Sequence, residues 1–448
     1  MFTAIGQSIT LKVLGIGLLA LLMLIPLLQV QGLIGERSGL RAQAIGDIAR
    51  RWGAAQQVGG AVLAIPKRVR VSTSNGWITQ EGTEIVLADR LDITGTLAPE
   101  VRSYGIYSTP VYLAELKLSG QFRARDLRAL AGRAGAAEET RETTWLFDQA
   151  ELRLPITDVR GIRRISALKV DGGEHAFGPV NGNGALRAIA LPLDLSAWLK
   201  APGDEAHRFE LELTLAGTGS LQFLPLARRT EASLAAPWPN PGFGGAFLPA
   251  QRALDAKGFS AQWQVLDLNR SYGQHWQEGE GGIDPTAAAF GVNLYQPADL
   301  YQRNERAGKY GVLFVALTFV AFFLFEVLKK LRVHPVQYLL VGLALTTFYV
   351  VLLALSEQIG FAWAYLAAAT SVAVLVGGYA AAVLRARKAG AVLGAALALI
   401  YALLYGLVVS EQYSLLMGAL ALLAVVAALM YLTRKVDWYA YSSVVRQS

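Results

Sequence analysis

The chain has 448 residues, of which 53% are apolar and only 17% charged, against about 25% charged in an ordinary soluble protein; this is the composition of a membrane protein with a sizeable soluble part. The formal net charge is +7, but the basic residues gather in short clusters beside apolar runs, where they act as topology signals rather than as a nucleic-acid patch. There is no cysteine, which excludes disulfides, thiol nucleophiles and thiolate metal sites.

Residues 13–30, preceded by Lys12, form an apolar run of the length needed to cross a bilayer. The run reads as an uncleaved anchor, giving an N-terminal segment 1–32. A signal peptide cut after Val30-Gln31-Gly32 is the competing reading. The run is long for a signal, and Leu33, Leu40, Ala44, Ile48 and Trp52 continue from it at helical spacing.

Residues 33–308 read mainly as strands. Phe209, Leu211, Leu213 and Leu215 alternate with Glu210, Glu212 and Thr214. Ala150, Leu152, Leu154 and Ile156 do the same, as do Phe259, Ala261, Trp263 and Val265. Residues 111–120 show a mixed version of the pattern. Period-two alternation bounded by Gly and Pro clusters predicts half-buried antiparallel strands. Turns are expected at Asp171-Gly172-Gly173, at Asn181-Gly182-Asn183-Gly184 and at Gly217-Thr218-Gly219-Ser220, and a helix near 125–140. The expectation is a β-sandwich or two abutting sheets, in one domain or two.

Chemistry is sparse in this part. His175, His207 and His275 lack metal-ligand spacing and are expected at the surface or in turns. No nucleophile elbow, phosphate loop or EF-hand loop is found. The stretch from Trp238 to Pro249 is unusual: its Pro and Gly residues argue against regular structure, while Trp238, Phe243 and Phe247 must bury or bind something. It is read either as a loop pinned to the sheet by aromatic anchors or as a recognition loop for a partner or lipid.

Five further spans are expected at about 310–328, 336–355, 361–384, 391–409 and 413–432. Their connectors alternate: Lys329-Lys330-Leu331-Arg332, Ser356-Glu357-Gln358, Arg385-Ala386-Arg387-Lys388, Ser410-Glu411-Gln412, then Arg434-Lys435. Basic connectors belong on the cytoplasmic side. Six spans then place the N-terminus and a C-terminal tail, 435–448, in the cytoplasm, and residues 33–308 outside it. The expected fold class is a multi-pass α-helical membrane protein with a large, β-rich, sandwich-like antiparallel periplasmic domain; the five-helix bundle occupies 309–434.

Within the bundle, Glu326 reads either as a snorkelling carboxylate beside Lys329 and Lys330 or as an ion or proton site. Glu357 and Glu411 sit in two Ser-Glu-Gln connectors 54 residues apart, from duplicated hairpins or from chance. Gly342, Gly377, Gly378 and Ala395 are among many small residues that permit close helix packing. Tyr295, Tyr301, Tyr310 and Trp363 suit an interfacial aromatic belt.

These segments resemble the CreD family. The pattern runs from Lys309-Tyr310 through GVLFVALTFVAFFLFE, then His334-Pro335-Val336-Gln337-Tyr338-Leu339-Leu340-Val341-Gly342-Leu343, then Leu353-Ala354-Leu355-Ser356-Glu357. Arg160-Gly161-Ile162, Gly217-Thr218-Gly219, Trp238-Pro239, Phe259 to Gln264 and Asp437-Trp438-Tyr439-Ala440 agree with it, so the resemblance covers nearly the whole chain. It departs at Gln358, where relatives can have His. The resemblance implies a stress-regulated inner-membrane protein tied to envelope integrity, with no established catalytic residue and no cofactor.

Three functions compete. The first is a non-enzymatic envelope-integrity protein whose outer domain binds envelope components or protein partners. The second is a transporter or lipid-handling protein that uses the bundle, and the third an envelope hydrolase with unrecognised carboxylates. The expected partners are membrane lipids and envelope proteins, not nucleic acid. The candidate residues are Glu326, His334, Glu357, Glu411, Trp238, Phe243 and Phe247.

Overall fold

A computed structural model describes residues 9–74, 76–135, 141–178, 187–200, 203–279, 281–295, 300–329, 333–383, 387–410 and 413–434. The chain forms two compact units, one of residues 1–41 with 298–448 and the other of residues 42–297. Helix α1 (Ile9–Leu22) is followed almost without interruption by α2 (Leu24–Trp52). The break at Met23 lies where Pro26, which has no N–H, leaves the Leu22 carbonyl without its helical donor.

The second unit is a mixed, mostly antiparallel β structure. Its organising strand is Gly76–Tyr104, which pairs with Val62–Thr73 along its first half and with Tyr107–Arg123 along its second. Tyr107–Arg123 in turn pairs with Ala206–Thr218. These strands belong to a 14-stranded sheet, and Gln56–Gly59, Ser220–Leu224, Phe290–Leu294 and Pro241–Gly245 make a second sheet of four. Val58, Phe223 and Phe290 of the small sheet share one hydrophobic cluster with Leu116, Leu213 and Trp263 of the large one. The sandwich-like expectation therefore holds, with two exceptions to the antiparallel rule among the described residues. Gln56–Gly59 runs parallel to Ser220–Leu224, and Ala227–Ala236 runs parallel to Gly76–Tyr104.

Alternation fixes the register. Phe209, Leu211, Leu213 and Leu215 are buried, whereas Glu210 and Glu212 are exposed. A one-residue slip would turn all four apolar side chains outward, at a cost of about 6–12 kcal/mol from lost burial alone. In the mixed stretch the buried set is Tyr112, Ala114, Leu116 and Leu118, with Val111 buried as well. The Asp171-Gly172 turn joins two short strands with both residues at positive φ, 50° and 87°, as a tight hairpin requires. The expected helix is α3 (Ala124–Gly135), and a short α4 (Ser196–Lys200) follows later. The expected Asn181–Gly184 turn lies outside the described residues.

The stretch after Trp238 corrects the sequence reading. Pro241–Gly245 is not irregular but a strand paired antiparallel with Phe290–Leu294. Its position at the end of the four-stranded sheet explains how Pro is accommodated, since an edge strand does not need every N–H.

The first unit contains α5 (Leu300–Lys309), α6 (Gly311–Lys329), α7 (Pro335–Ile359), α8 (Phe361–Val383), α9 (Arg387–Val409) and α10 (Ser414–Thr433). Among the described residues, four helices are long and apolar enough to cross a bilayer: the N-terminal Lys12–Trp52 stretch, α7, α8 and α9. The α5–α6 pair, bent by 45°, makes a fifth if counted as one span, and α10 carries a shorter apolar stretch, Leu416–Tyr431. Gly342 shows why small residues matter here. A Cβ on it would lie 2.6 Å from Met23 Sδ and 3.0 Å from Phe319 Cζ, so a larger residue there would displace Met23 from its seat against α7.

Candidate functional site

Two polar nodes lie within the helical unit, one near each end of α7. At the first, the Glu326 carboxylate is buried and accepts from three donors. Lys12 Nζ pairs with Oε1, the Val333 N–H donates to Oε1 at 2.9 Å, and the Tyr338 hydroxyl donates to Oε2 at 3.0 Å. Glu326 is 5% exposed. This corrects the snorkelling reading: the carboxylate is enclosed, with Lys12 of α1 as its cation. An enclosed carboxylate survives only with such partners, because an unpaired one costs several kcal/mol. The edges of Phe319 and Phe322 pack on Tyr338 and hold its ring in place.

The second node joins α5 to the last turn of α7. The Tyr301 hydroxyl donates to Glu357 Oε1 at 2.9 Å, and Asn304 Nδ2 donates to Ser356 Oγ at 2.9 Å. Asn304 Nδ2 also donates to Leu300 O, and Ser356 Oγ to Leu353 O. Asn304 and Ser356 are each 1% exposed. Tyr301 is therefore an internal residue, which removes it from the proposed aromatic belt, whereas Trp363 is exposed.

The two nodes are separated along α7 by the 19 residues between Tyr338 and Glu357, about 28 Å at 1.5 Å per residue. A hydrocarbon core is about 30 Å thick. Between the nodes α7 buries Leu345, Phe348 and Leu352. The Tyr365 hydroxyl there donates to Tyr401 O, and the buried Tyr349 hydroxyl has no hydrogen-bond partner among the described residues.

His334 is an exposed N-cap. Its Nδ1 accepts from Val336 N, while its own N–H donates to Gln337 Oε1 at 2.9 Å. With Pro335 at the first helical position, His-Pro-Val-Gln is a helix-start sequence. Glu411 lies outside the described residues. Trp238 Nε1 donates to Tyr295 O, Phe243 meets Phe259 and Trp263 edge-on at 5.6 and 5.9 Å, and Phe247 meets Phe290. Trp238, Phe243 and Phe247 belong to the β-rich unit, whereas Glu326 and Glu357 belong to the helical one.

The β-rich unit holds polar clusters that sequence reasoning missed. Lys67 Nζ donates to Glu84 Oε2 at 2.7 Å, and His275 Nδ1 lies 2.7 Å from Oε1 of the same carboxylate. Burial pushes the Glu84 pKa up, but the hydrogen bonds from His275 and Lys67 outweigh it and hold the carboxyl below its ordinary range. His207 is buried rather than on the surface, stacked on Trp198 at 4.0 Å and 2.6 Å from Asp171 Oδ2. Asp158 is also held below the ordinary range: burial raises it, but bonds from Arg160 and Ala54 N prevail. Among the described residues no group of three or more His, Asp or Glu could hold a metal. Sequence reasoning does not single out Asn304, expects Tyr301 in an aromatic belt, and expects neither Lys12 nor Tyr338 to engage Glu326. Lys12 alone carried a signal, as an ionisable residue at the edge of a span.

A family profile described as inner membrane protein CreD matches residues 8–439. The chain is also 34% identical over 427 residues to the inner membrane protein CreD of Escherichia coli (strain K12), covering 94% of this chain and 92% of that relative. By both measures the chain belongs to the CreD family of inner-membrane proteins.

Proposed function

We propose that this is a non-catalytic envelope-integrity protein whose β-rich unit lies in the periplasm and binds envelope components or protein partners, and whose helices anchor it. The observation that carries the reading is the engagement of the two candidate carboxylates among the described residues, Glu326 and Glu357, by structural partners at the two ends of α7. Glu326 is held by Lys12, Val333 and Tyr338, and Glu357 by Tyr301. Their separation, close to the hydrocarbon thickness, supports a position for both near the two interfaces. A coupled transporter instead gathers its polar ligands near the midplane. The β-rich unit is then the part with surface to spare for recognition.

Alternation of basic and non-basic connectors supports the sidedness, with six spans, 33–308 outside and the tail inside. The test is a set of phosphatase and fluorescent-protein fusions after residues 150, 250 and 448. Phosphatase activity at the first two sites and fluorescence at the third are expected; residues 150 or 250 in the cytosol would remove the periplasmic role. Binding is tested by photo-crosslinkers at the exposed Leu248 and Leu268 in living cells. Purified protein that hydrolysed peptidoglycan, lipid or a β-lactam in a residue-dependent way would replace the non-catalytic reading.

A further inference from the structure

We propose that the groove between α8 and α9 holds one acyl chain of an anionic phospholipid, with the lipid phosphate on Arg387 and Lys388. The groove has a volume of about 990 Å³. It exists because both of its walls are built from small residues. Ala373 and Gly377 on one helix face Ala391, Ala395 and Ala398 on the other. A Cβ on Gly390 would lie 2.5 Å from Gly377 O and 2.4 Å from Ala381 Cβ, so the two backbones touch at this end. Leu or Phe would ordinarily fill the crevice beside such a contact; alanine leaves it open.

The ends of the groove differ in chemistry, and this difference selects the occupant. At one end Arg387 stands one turn before Ala391, four residues away, so it projects along the same helix face. Arg387 and Lys388 are both exposed. Toward the other end the groove passes Tyr401 and Tyr405 and reaches Trp363. From Arg387 to Tyr401 is 14 residues, about 21 Å of helix, more than one leaflet's share of an about 30 Å hydrocarbon core. A chain entering beside Arg387 therefore fits within the alanine and glycine part before it reaches the tyrosine.

A transmembrane helix from a second copy would match the apolar walls equally well but would leave the two cations without a counter-charge. A phospholipid with a net negative headgroup satisfies both walls and cations. Basic residues beside a cleft between transmembrane helices are the usual form of an anionic-lipid site. This inference does not depend on which side of the membrane Arg387 faces, nor on the proposed role of the β-rich unit.

The test is native mass spectrometry of the full-length protein from micelles containing equal amounts of phosphatidylglycerol and phosphatidylethanolamine. Wild type is expected to retain one phosphatidylglycerol. Arg387→Gln and Lys388→Gln should each lower that preference about fivefold, and Ala395→Phe, which fills the groove from an exposed position, should abolish retention of either lipid. Ala398→Phe is a second filling variant, and an unchanged melting temperature shows that each variant is folded. Retention unaffected by filling the groove, or equal for the two lipids and indifferent to the cations, would overturn the proposal. So would a wild-type dimer that Ala395→Phe dissociates, because the groove would then be a subunit contact.

Discussion

Lys12 and Glu326 are 314 positions apart in the chain and form an ion pair within the helical unit. The pair ties the N-terminal helix to the end of α6, and the same carboxylate reaches the start of α7 through Val333 and Tyr338. Three separate segments therefore converge on one buried group. Replacing Lys12 by Met removes the cation that pairs with the carboxylate among the described residues and leaves it the Val333 and Tyr338 donors, which should cost about 1–3 kcal/mol, because Lys12 itself is partly exposed. Glu326→Gln alone should cost less, since the amide keeps an oxygen for Tyr338. In a double-mutant cycle read by thermal unfolding in detergent, Lys12→Met with Glu326→Gln should be closer to wild type than the two single effects added. Strict additivity would show that the pair contributes no coupling.

Acid should weaken the β-rich unit through Glu84. Burial opposes its ionisation, but the bonds from His275 and Lys67 dominate, so the folded pKa lies below the ordinary value of 4.5. A depressed folded pKa gives stability that is present above 4.5 and is lost as pH falls through the folded value. Glu84→Gln should therefore lower stability at neutral pH, because Lys67 loses its counter-ion, and should flatten the decline below pH 4.5. Chemical denaturation followed by tryptophan fluorescence at several pH values measures both effects. An acid slope identical in the variant would rule out this carboxylate as its source.

Much of this architecture was legible in the sequence. Apolar runs located the helices because a bilayer demands about 20 such residues, and alternation located strands such as Phe259–Leu266 because one face is buried. The parallel pairing of Ala227–Ala236 with Gly76–Tyr104 was not legible, since period-two alternation is the same in either direction. Nor was the strand Pro241–Gly245, whose composition argues against it and whose pairing partner lies some fifty residues away. The Glu326 node escaped for a related reason. Lys329 and Lys330 are its neighbours in sequence, whereas Lys12, which pairs with it, comes from the other end of the chain. Local spacing can suggest an ion pair but carries no information about contacts between distant segments.

The family-like Arg160-Gly161-Ile162 segment has a packing explanation that yields a test. A Cβ on Gly161 would lie 2.3 Å from Ala216 O and 2.4 Å from Gln56 Nε2. Gln56 is fully buried and donates to Asp158 O and Ala216 O while accepting from Asp158 N. Gly161→Ala must push a backbone carbonyl or break this set of bonds, so a loss of at least about 2 kcal/mol is expected. Gln56→Ala should cost a similar amount by leaving buried backbone groups unpaired. Denaturant midpoints of the two variants within experimental error of wild type would contradict this account.

Phe243 separates a structural role from a recognition role for the stretch after Trp238. Its ring is half-buried, edge-on to Phe259 and Trp263, and its backbone pairs opposite Val292. Phe243→Ala removes the ring from that cluster and should cost about 2–4 kcal/mol, somewhat less than a fully buried Phe. Leu248, five residues on, is 72% exposed, and Leu248→Ser should leave stability within about 0.5 kcal/mol of wild type. If the segment also recognises a partner, the exposed Leu248 rather than the packed Phe243 should carry it. Photo-crosslinking from position 248 should then capture a partner that the same probe at 243 does not. The reverse pattern would mean that Phe243 leaves its pocket to bind, and the strand Pro241–Gly245 would have to detach with it.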